Sequence, residues 1–275
     1  MVLACGMLTI NDALMKSLVG NLPYGQILFM RAIIALVVLL LFVPIMGGFT
    51  KLRIHSKRDV LWCAFLMVIN VFLFPMSLLY MDLAHAIILA YTSPLWVVAL
   101  APVLIKEPVS FPQWVAVLIG FGGAALVIKP TGGQLHWAIF LPLTVALVVA
   151  LRDILTRYIA ARESALTIVI LANILTILIG ASTLHMGWKQ PDIQQISQLI
   201  FAGILFSVSM VLMIEAFRWA QTAILSTFKY SSILFAVLLG LVFWGEWLDT
   251  YAAIGAALIV LSGLMVVKYR PKSMP

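Results

Sequence analysis

The chain has 275 residues, 64% of them hydrophobic and 10% charged, with a formal net charge of +7 and a mean hydropathy of +1.15. A soluble domain is about 45–50% apolar and about 25% charged, so this composition cannot clothe a water-facing globule, and lipid is the solvent that fits it. The net positive charge does not indicate nucleic acid, because the basic residues lie mostly in short connections between apolar runs, the pattern that orients membrane proteins.

A bilayer-spanning helix needs about 20 apolar residues. Ten such runs follow one another, at 1–20, 24–46, 60–80, 85–105, 112–129, 136–158, 164–186, 195–216, 221–243 and 250–268. In the first run, residues 1–10 lack the basic n-region of a signal peptide, and Asn11 and Asp12 interrupt them where an apolar core would continue; it therefore reads as a span. Asn21-Leu22-Pro23 closes the first run and Gly47-Gly48 the second. Glu107-Pro108 follows the fourth, Pro130-Thr131-Gly132-Gly133 the fifth, and Lys189-Gln190-Pro191 the seventh. Long continuous runs, rather than short alternating ones, predict helices and not a β-barrel. Cys5 and Cys63 fall within apolar runs and read as small packing residues, not as a disulfide or metal site.

Basic residues set the orientation. With the N-terminus inside, the cytoplasmic side holds Lys51, Arg53, Lys57, Arg58, Lys106, Arg152, Arg157, Arg162, Arg218, Lys268, Arg270 and Lys272. The other side holds only Lys16, Lys129 and Lys189, so both termini are predicted to be cytoplasmic in a multi-pass protein of the inner membrane. Seven tryptophans (62, 114, 137, 188, 219, 244 and 247) fall near span ends, as an interfacial belt places them; Trp96 does not.

The two halves of the chain match each other. At a shift of about 139 residues Tyr91-Thr92-Ser93 aligns with Tyr230-Ser231-Ser232, Glu107 with Glu246, and Lys129 with Lys268. Near the start of each half, Asp12, Leu14 and Lys16 align with Asp153, Leu155 and Arg157. Each half, 1–130 and 136–270, carries five spans. An odd number inverts the second half in the membrane relative to the first, an architecture that transporters use to exchange outward-open and inward-open states.

Three stretches carry a family resemblance: Asn11-Asp12-Ala13-Leu14-Met15-Lys16, Gln26-Ile27-Leu28-Phe29-Met30-Arg31, and the Glu107 and Glu246 turns, each before a Gly-rich apolar helix. The chain resembles an EamA-type member of the drug/metabolite transporter superfamily over essentially its whole length, as two tandem units. The resemblance implies an all-α bundle of ten transmembrane helices in two inverted five-helix repeats. It also implies a central cavity built from spans 1, 3, 4, 6, 8 and 9, with spans 5 and 10 peripheral. Members carry amino acids, nucleotide-related metabolites, S-adenosylmethionine and riboflavin. The Asp12 region is most similar to the S-adenosylmethionine and riboflavin importer-like members.

A charge near the bilayer centre costs about 2.5–3.5 kcal/mol on insertion scales, so each one needs a partner, a wet cavity or a function. At a rise of about 1.5 Å per residue, Asp12 lies roughly 12 Å and Arg31 roughly 10 Å from the outer ends of adjacent spans, which makes a buried Asp12–Arg31 pair geometrically reasonable. Lys16, one turn from Asp12, is a local partner for it. In the second half Asp153 has Arg152 and Arg157 beside it, while Ala172, next to Asn173, stands where Arg31 does. Structural ion pairing and substrate contact are both readings of this cluster, with structure favoured. Lys229 lies deep in span 9, opposite Ala90 in the matching span. A substrate- or proton-linked role is weighed there against a structural charge partner. Asn70 and Glu215 are further polar candidates, and Glu107 and Glu246 read as turn residues ahead of the helix caps Ser110 and Asp249.

The leading expectation is a secondary carrier that moves a small polar metabolite (amino-acid-like, S-adenosylmethionine-like or heterocyclic) by alternating access. Tyr91, Trp96 and Tyr230 would hold an apolar or cationic part of it, and Arg31 or Lys229 an anionic part. The sequence has no Walker loop, nucleophile elbow or zinc motif, so no enzymatic role, cofactor or metal is expected. The competing readings are a membrane-embedded enzyme acting on a lipid-linked substrate, and a channel or scaffold subunit. The expected partners are the substrate and the bilayer, with a coupling proton or ion and a homodimer as open alternatives.

Overall fold

The computed structural model describes residues 1–45, 48, 52, 54–104, 106, 108–128, 137–159, 163–219 and 228–269. These form α1 (Val2–Leu18), α2 (Tyr24–Phe42), α3 (Lys57–Ser77), α4 (Leu83–Ala90), α5 (Ser93–Leu104), α6 (Phe111–Ile128), α7 (Phe140–Ile159), α8 (Ala165–Ser182), α9 (Ile193–Trp219), α10 (Ser231–Trp244) and α11 (Thr250–Lys268). Two 3-10 turns, Trp137–Ile139 and Leu184–Met186, complete them, and no strand occurs among the described residues. Among the described residues eight stretches are long and apolar enough to cross a membrane, with α4 and α5 counted as one stretch, Leu83–Leu104. α10 is a shorter apolar helix, and α1 has 17 residues.

Local chemistry sets the helix ends. α1 stops at a turn where Gly20 takes φ +99°, a left-handed conformation that glycine adopts without steric penalty. α10 ends the same way on Gly245 at φ 65°. Pro94 and Pro142 each sit in the first turn of a helix, α5 and α7, where a missing N–H breaks no intrahelical bond. Asp249 caps α11 by accepting from the Ala252 amide at 2.8 Å.

The helix surfaces are inside-out relative to a soluble protein. Leu41, Val103, Leu118, Leu178, Leu234, Val242 and Phe243 are all exposed, as a lipid-facing surface requires. Lipid supplies no hydrophobic drive between helices, so association rests on close packing and interhelical hydrogen bonds. α6 and α11 meet at glycines, and a Cβ added to Gly123 would lie 2.7 Å from the Gly255 carbonyl oxygen. Ser207 of α9 donates to the Ala35 carbonyl of α2 at 2.9 Å, and the Tyr24 hydroxyl of α2 donates to the Phe72 carbonyl of α3.

The helix pairing has an internal symmetry. α1 packs on α9 as α7 packs on α3, and α2 packs on α9 as α8 packs on α3. α1 packs on α10 as α7 packs on α4 and α5. Three pairs map onto themselves: α2 with α8, α6 with α11, and α4 with α10. One apolar cluster joins Leu83, Ile87 and Ile88 of α4 to Ala124 of α6, Ile233 of α10 and Ile259 of α11. Another joins Leu39 of α2, Met67 of α3, Val169 of α8 and Phe206 of α9.

Candidate functional site

Two interruptions meet inside the bundle. The stretch predicted as one span at 85–105 turns at Tyr91 and Thr92 between α4 and α5. In the second half, Phe228 and Lys229 are helical, Tyr230 is a turn, and α10 begins at Ser231. The two tyrosine rings touch, with centroids 5.9 Å apart and planes inclined at 47°. The Tyr91 hydroxyl donates to Ser232 Oγ at 2.8 Å. Tyr230 is buried, and its hydroxyl has no hydrogen-bond partner among the described residues. Its ring end lies where a side chain on Gly263 of α11 would stand, so the glycine makes room for the tyrosine. Trp96 packs its ring on Phe121 of α6 at 5.0 Å, and its Nε1 is buried without a partner among the described residues.

The charges are arranged around this centre. Asp12 of α1 is half-buried and accepts from Asn11 Nδ2 at 3.0 Å. It lies within electrostatic reach of Arg31 on α2 and of Tyr91. Arg31 is only 3% exposed. Its guanidinium lies 4.5 Å over the Phe206 ring of α9, and its Nε is unpartnered among the described residues. The contact pair expected between Asp12 and Arg31 does not form: the two share a region and a field but make no direct ion pair among the described residues. The reason is that each group is already held elsewhere, the carboxylate by Asn11 and the guanidinium by the face of Phe206.

Lys16 is also an ion-pair residue, but not with Asp12. Its ammonium pairs with Glu246 Oε1 in the turn after α10 and lies 4.9 Å from the Trp244 ring centroid. Glu246 Oε2 accepts from the Leu83 amide at 3.1 Å, the first N–H of α4. Glu246 is thus a turn residue, as expected, and it also ties α1 and α4 to the α10–α11 turn. The carboxylate is attracted to the positive end of α4 and is fixed there, which gives Lys16 a better-placed partner than Asp12.

In the second half Asp153 accepts from Arg152 at 2.6 and 3.1 Å. Lys229 is half-buried, one residue before the Tyr230 turn, and lies within electrostatic reach of Asp153. The side chains of Arg157 and Glu215, and Glu107 altogether, lie outside the described residues. Asn70 of α3 is half-buried and makes no side-chain hydrogen bond among the described residues. Asn173 turns inward along its own helix, donating to the Val169 carbonyl at 2.9 Å.

Sequence reasoning missed Glu163 and Gln26. Glu163 is buried before α8 and accepts from the His55 and Ser56 amides at 2.8 and 2.6 Å, at the start of α3. A lone acid in the otherwise basic segment before Ser164 was the available signal. Gln26 of α2 exchanges hydrogen bonds with the Lys189 backbone at 2.6 and 3.0 Å. Among the described residues no group of three His, Cys, Asp or Glu side chains is placed to hold a metal ion.

Comparison with known proteins adds to this geometry. A solved crystal structure matches with a TM-score of 0.71 at 18% identity, covering 96% of this chain and 94% of that one, which establishes the fold. The S-adenosylmethionine uptake transporter of Rickettsia conorii is 22% identical over 96% of this chain and 90% of its own length. The riboflavin transporter of Vibrio cholerae is 26% identical over 92% and 85%. The pseudopaline exporter of Pseudomonas aeruginosa is 23% identical over 95% and 92%. The EamA-like transporter family matches twice, at residues 1–129 and 136–268. With both halves matched, the chain belongs to the EamA-like transporter family, within the drug/metabolite transporter superfamily, and is a membrane transporter of small molecules rather than an enzyme.

Proposed function

We propose that the protein is a secondary active carrier that moves a small polar metabolite across the cytoplasmic membrane by alternating access between two inverted repeats, 1–130 and 136–270. The observation that carries this reading is the pair of interruptions, at Tyr91–Thr92 and at Tyr230, which occupy matching positions in the two halves and touch ring to ring. Irregular backbone at membrane depth is tolerated only where protein or a water-filled cavity supplies its partners. Inverted-repeat carriers bind substrate at such interrupted helices near the bilayer midplane. The self-mapping pairs, α2 with α8, α6 with α11 and α4 with α10, support the same reading, because exchanging the conformations of the halves leaves each of these pairings in place.

Within this scheme Tyr91, Tyr230, Trp96 and Asn70 line the path, and Lys229, in the field of Asp153, takes part in binding or coupling. The relatives' names, for S-adenosylmethionine, riboflavin and pseudopaline carriers, support an amino-acid-like, S-adenosylmethionine-like or heterocyclic solute. The basic asymmetry of the loops supports cytoplasmic termini.

Flux into liposomes holding the purified protein tests the proposal. Uptake of at least one such solute is expected to saturate and to be competed by its analogues, whereas flux linear in concentration would mean a channel. Lys229→Met keeps the apolar stem and removes the charge. This variant is expected to fold and to lose most of the flux. Wild-type flux in a well-folded variant would return Lys229 to a structural role.

A further inference from the structure

Two clasps fasten the halves to each other, at opposite ends of α2 and α8. At the beginning of α2 the buried Gln26 side chain donates to the Lys189 carbonyl at 2.6 Å and accepts from the Lys189 N–H at 3.0 Å, in the segment that leads into α9. Just before α8 the buried Glu163 carboxylate accepts from the His55 and Ser56 amides at 2.8 and 2.6 Å, in the segment that leads into α3. Each clasp runs from a side chain of one half to the main chain of the other. Between them α2 and α8 lie antiparallel and close: a Cβ on Gly180 of α8 would stand 3.0 Å from the Gly25 carbonyl oxygen of α2. Trp188 packs on Phe29 with ring centroids 5.0 Å apart and donates to Thr183 Oγ1 at 3.2 Å, which covers the same junction.

The pseudo-symmetry of the helix pairing carries α2 onto α8 and α3 onto α9. It carries the first clasp, from the start of α2 to the segment before α9, onto a clasp from the start of α8 to the segment before α3. That is where Glu163 stands. In alternating access by inverted repeats the halves exchange conformations, so the second state is the image of the first. A contact between the halves whose image is missing from one state must break or form during the cycle. A contact that coexists with its image is present in both states. Gln26 and Glu163 hold their clasps in the same structure, at the two ends that open in turn. Parting the halves at this seam would also strip a buried side chain of its partners, and a buried polar group left unsatisfied is costly.

We propose that the α2–α8 seam, fastened by Gln26 at one end and by Glu163 at the other, is the stationary hinge of the carrier. The halves then part on the side of α1, α4 and α10, where the interrupted helices meet and Lys16 ties α1 to Glu246. The inference rests on the carrier reading above and adds which contact between the halves endures through the cycle. Gln26 and Glu163 are positioning residues in this scheme and touch no solute.

Reversible crosslinking of the purified full-length protein in liposomes tests the hinge. One variant carries Gln26→Cys with Lys189→Cys and Ser56→Cys with Glu163→Cys; another carries Lys16→Cys with Glu246→Cys. A bifunctional methanethiosulfonate joins each pair, mass spectrometry confirms the joined residues, and a thiol reductant releases them. The probes are S-adenosylmethionine, riboflavin and the free L-amino acids. Flux of the transported probe is expected to be the same with both clasps joined as after release. It is expected to be lost when Lys16→Cys is joined to Glu246→Cys and to return on reduction. Hydrogen exchange of the unmodified protein is the second readout, which keeps the hinge testable if a cysteine variant does not fold. The His55, Ser56 and Lys189 amides should keep their protection when the transported probe is added to saturation, whereas protection of the Leu83 amide, bonded to Glu246, should change. Loss of flux with the clasps joined, equal flux in the two joined variants, or altered protection at the clasps overturns the hinge and leaves the carrier standing. Absence of saturable flux for every probe in the unmodified protein overturns the carrier reading and the hinge with it.

Discussion

Glu246→Gln perturbs a carboxylate through which α1, α4 and the α10–α11 turn are tied together. In the native structure one oxygen pairs with the Lys16 ammonium, and the other accepts the first amide of α4 at 3.1 Å. The Lys16 and Glu246 side chains are only 10% and 13% exposed, so water screens the pair little. Glutamine has a single, neutral oxygen; with that oxygen given to the Leu83 amide, the side-chain NH2 turns toward Lys16, leaving a largely buried ammonium without its anion. Removing one partner of a buried pair costs about 3–5 kcal/mol. The lower end applies here, because the pair lies at the end of the helices and the Trp244 face retains some attraction for the cation. The Tm of purified protein in detergent should therefore fall by several degrees. Lys16→Met alone should cost less, since a carboxylate left alone at a helix N-terminus still has the α4 amide and the helix dipole. The double variant Lys16→Met, Glu246→Gln should be more stable than the sum of the two losses. Strict additivity, or an unchanged Tm for Glu246→Gln, would refute the coupling.

The contact between α6 and α11 gives a matched pair of tests. Gly123→Ala would set a methyl group 2.7 Å from the Gly255 carbonyl oxygen, a backbone atom that cannot rotate away, so Tm should drop; Gly122→Ala, with nothing within 4 Å, should leave it unchanged or raise it. Equal effects would remove the close approach of the two helices. Membrane sidedness follows from the basic asymmetry: Asn21→Cys and His55→Cys are at exposed positions on opposite ends of α2, whereas the native Cys5 and Cys63 are buried. A membrane-impermeant thiol reagent applied to intact cells should label the first and spare the second, and labelling of both or neither would refute the orientation.

Hydropathy made the bundle legible because the energetic demand of a lipid-facing helix is large and local. The run expected at 250–268 is the helix Thr250–Lys268. Where the boundaries moved, local chemistry moved them. The second apolar run extends to 46, but its helix ends at Phe42, two residues before Pro44. The third apolar run covers 60–80, whereas its helix runs Lys57–Ser77, starting in polar residues and ending just after Pro75. The interruption at Tyr91–Thr92 was invisible to hydropathy, which averages over a window and registers no backbone turn. Ser93-Pro94, a helix start placed within an apolar run, was the only trace of it.

The charges were legible one by one, because each intramembrane charge announces itself by its cost, but their partners were not. Position along a helix gives a depth, and depth alone does not say which way a side chain faces or what faces it. Asp12 and Arg31 have the same expected depth and occupy the same region, yet Phe206, about 175 residues beyond Arg31 in sequence, intercepts the guanidinium. Lys16 has Asp12 one turn away and still pairs with Glu246, 230 residues distant. Local spacing on a helix offers only about 0.2–0.5 kcal/mol, too little to outweigh a carboxylate already fixed at a helix N-terminus. The two halves, alike in sequence at Asp12 and Asp153, also differ in their electrostatics. Asp153 is bonded to Arg152 and lies in the field of Lys229, whereas among the described residues Asp12 has Asn11 as its one direct partner and an arginine it does not touch. Pseudo-symmetric backbones therefore hold asymmetric charges, because each half recruits its partners from whatever its own side chains and distant helices supply.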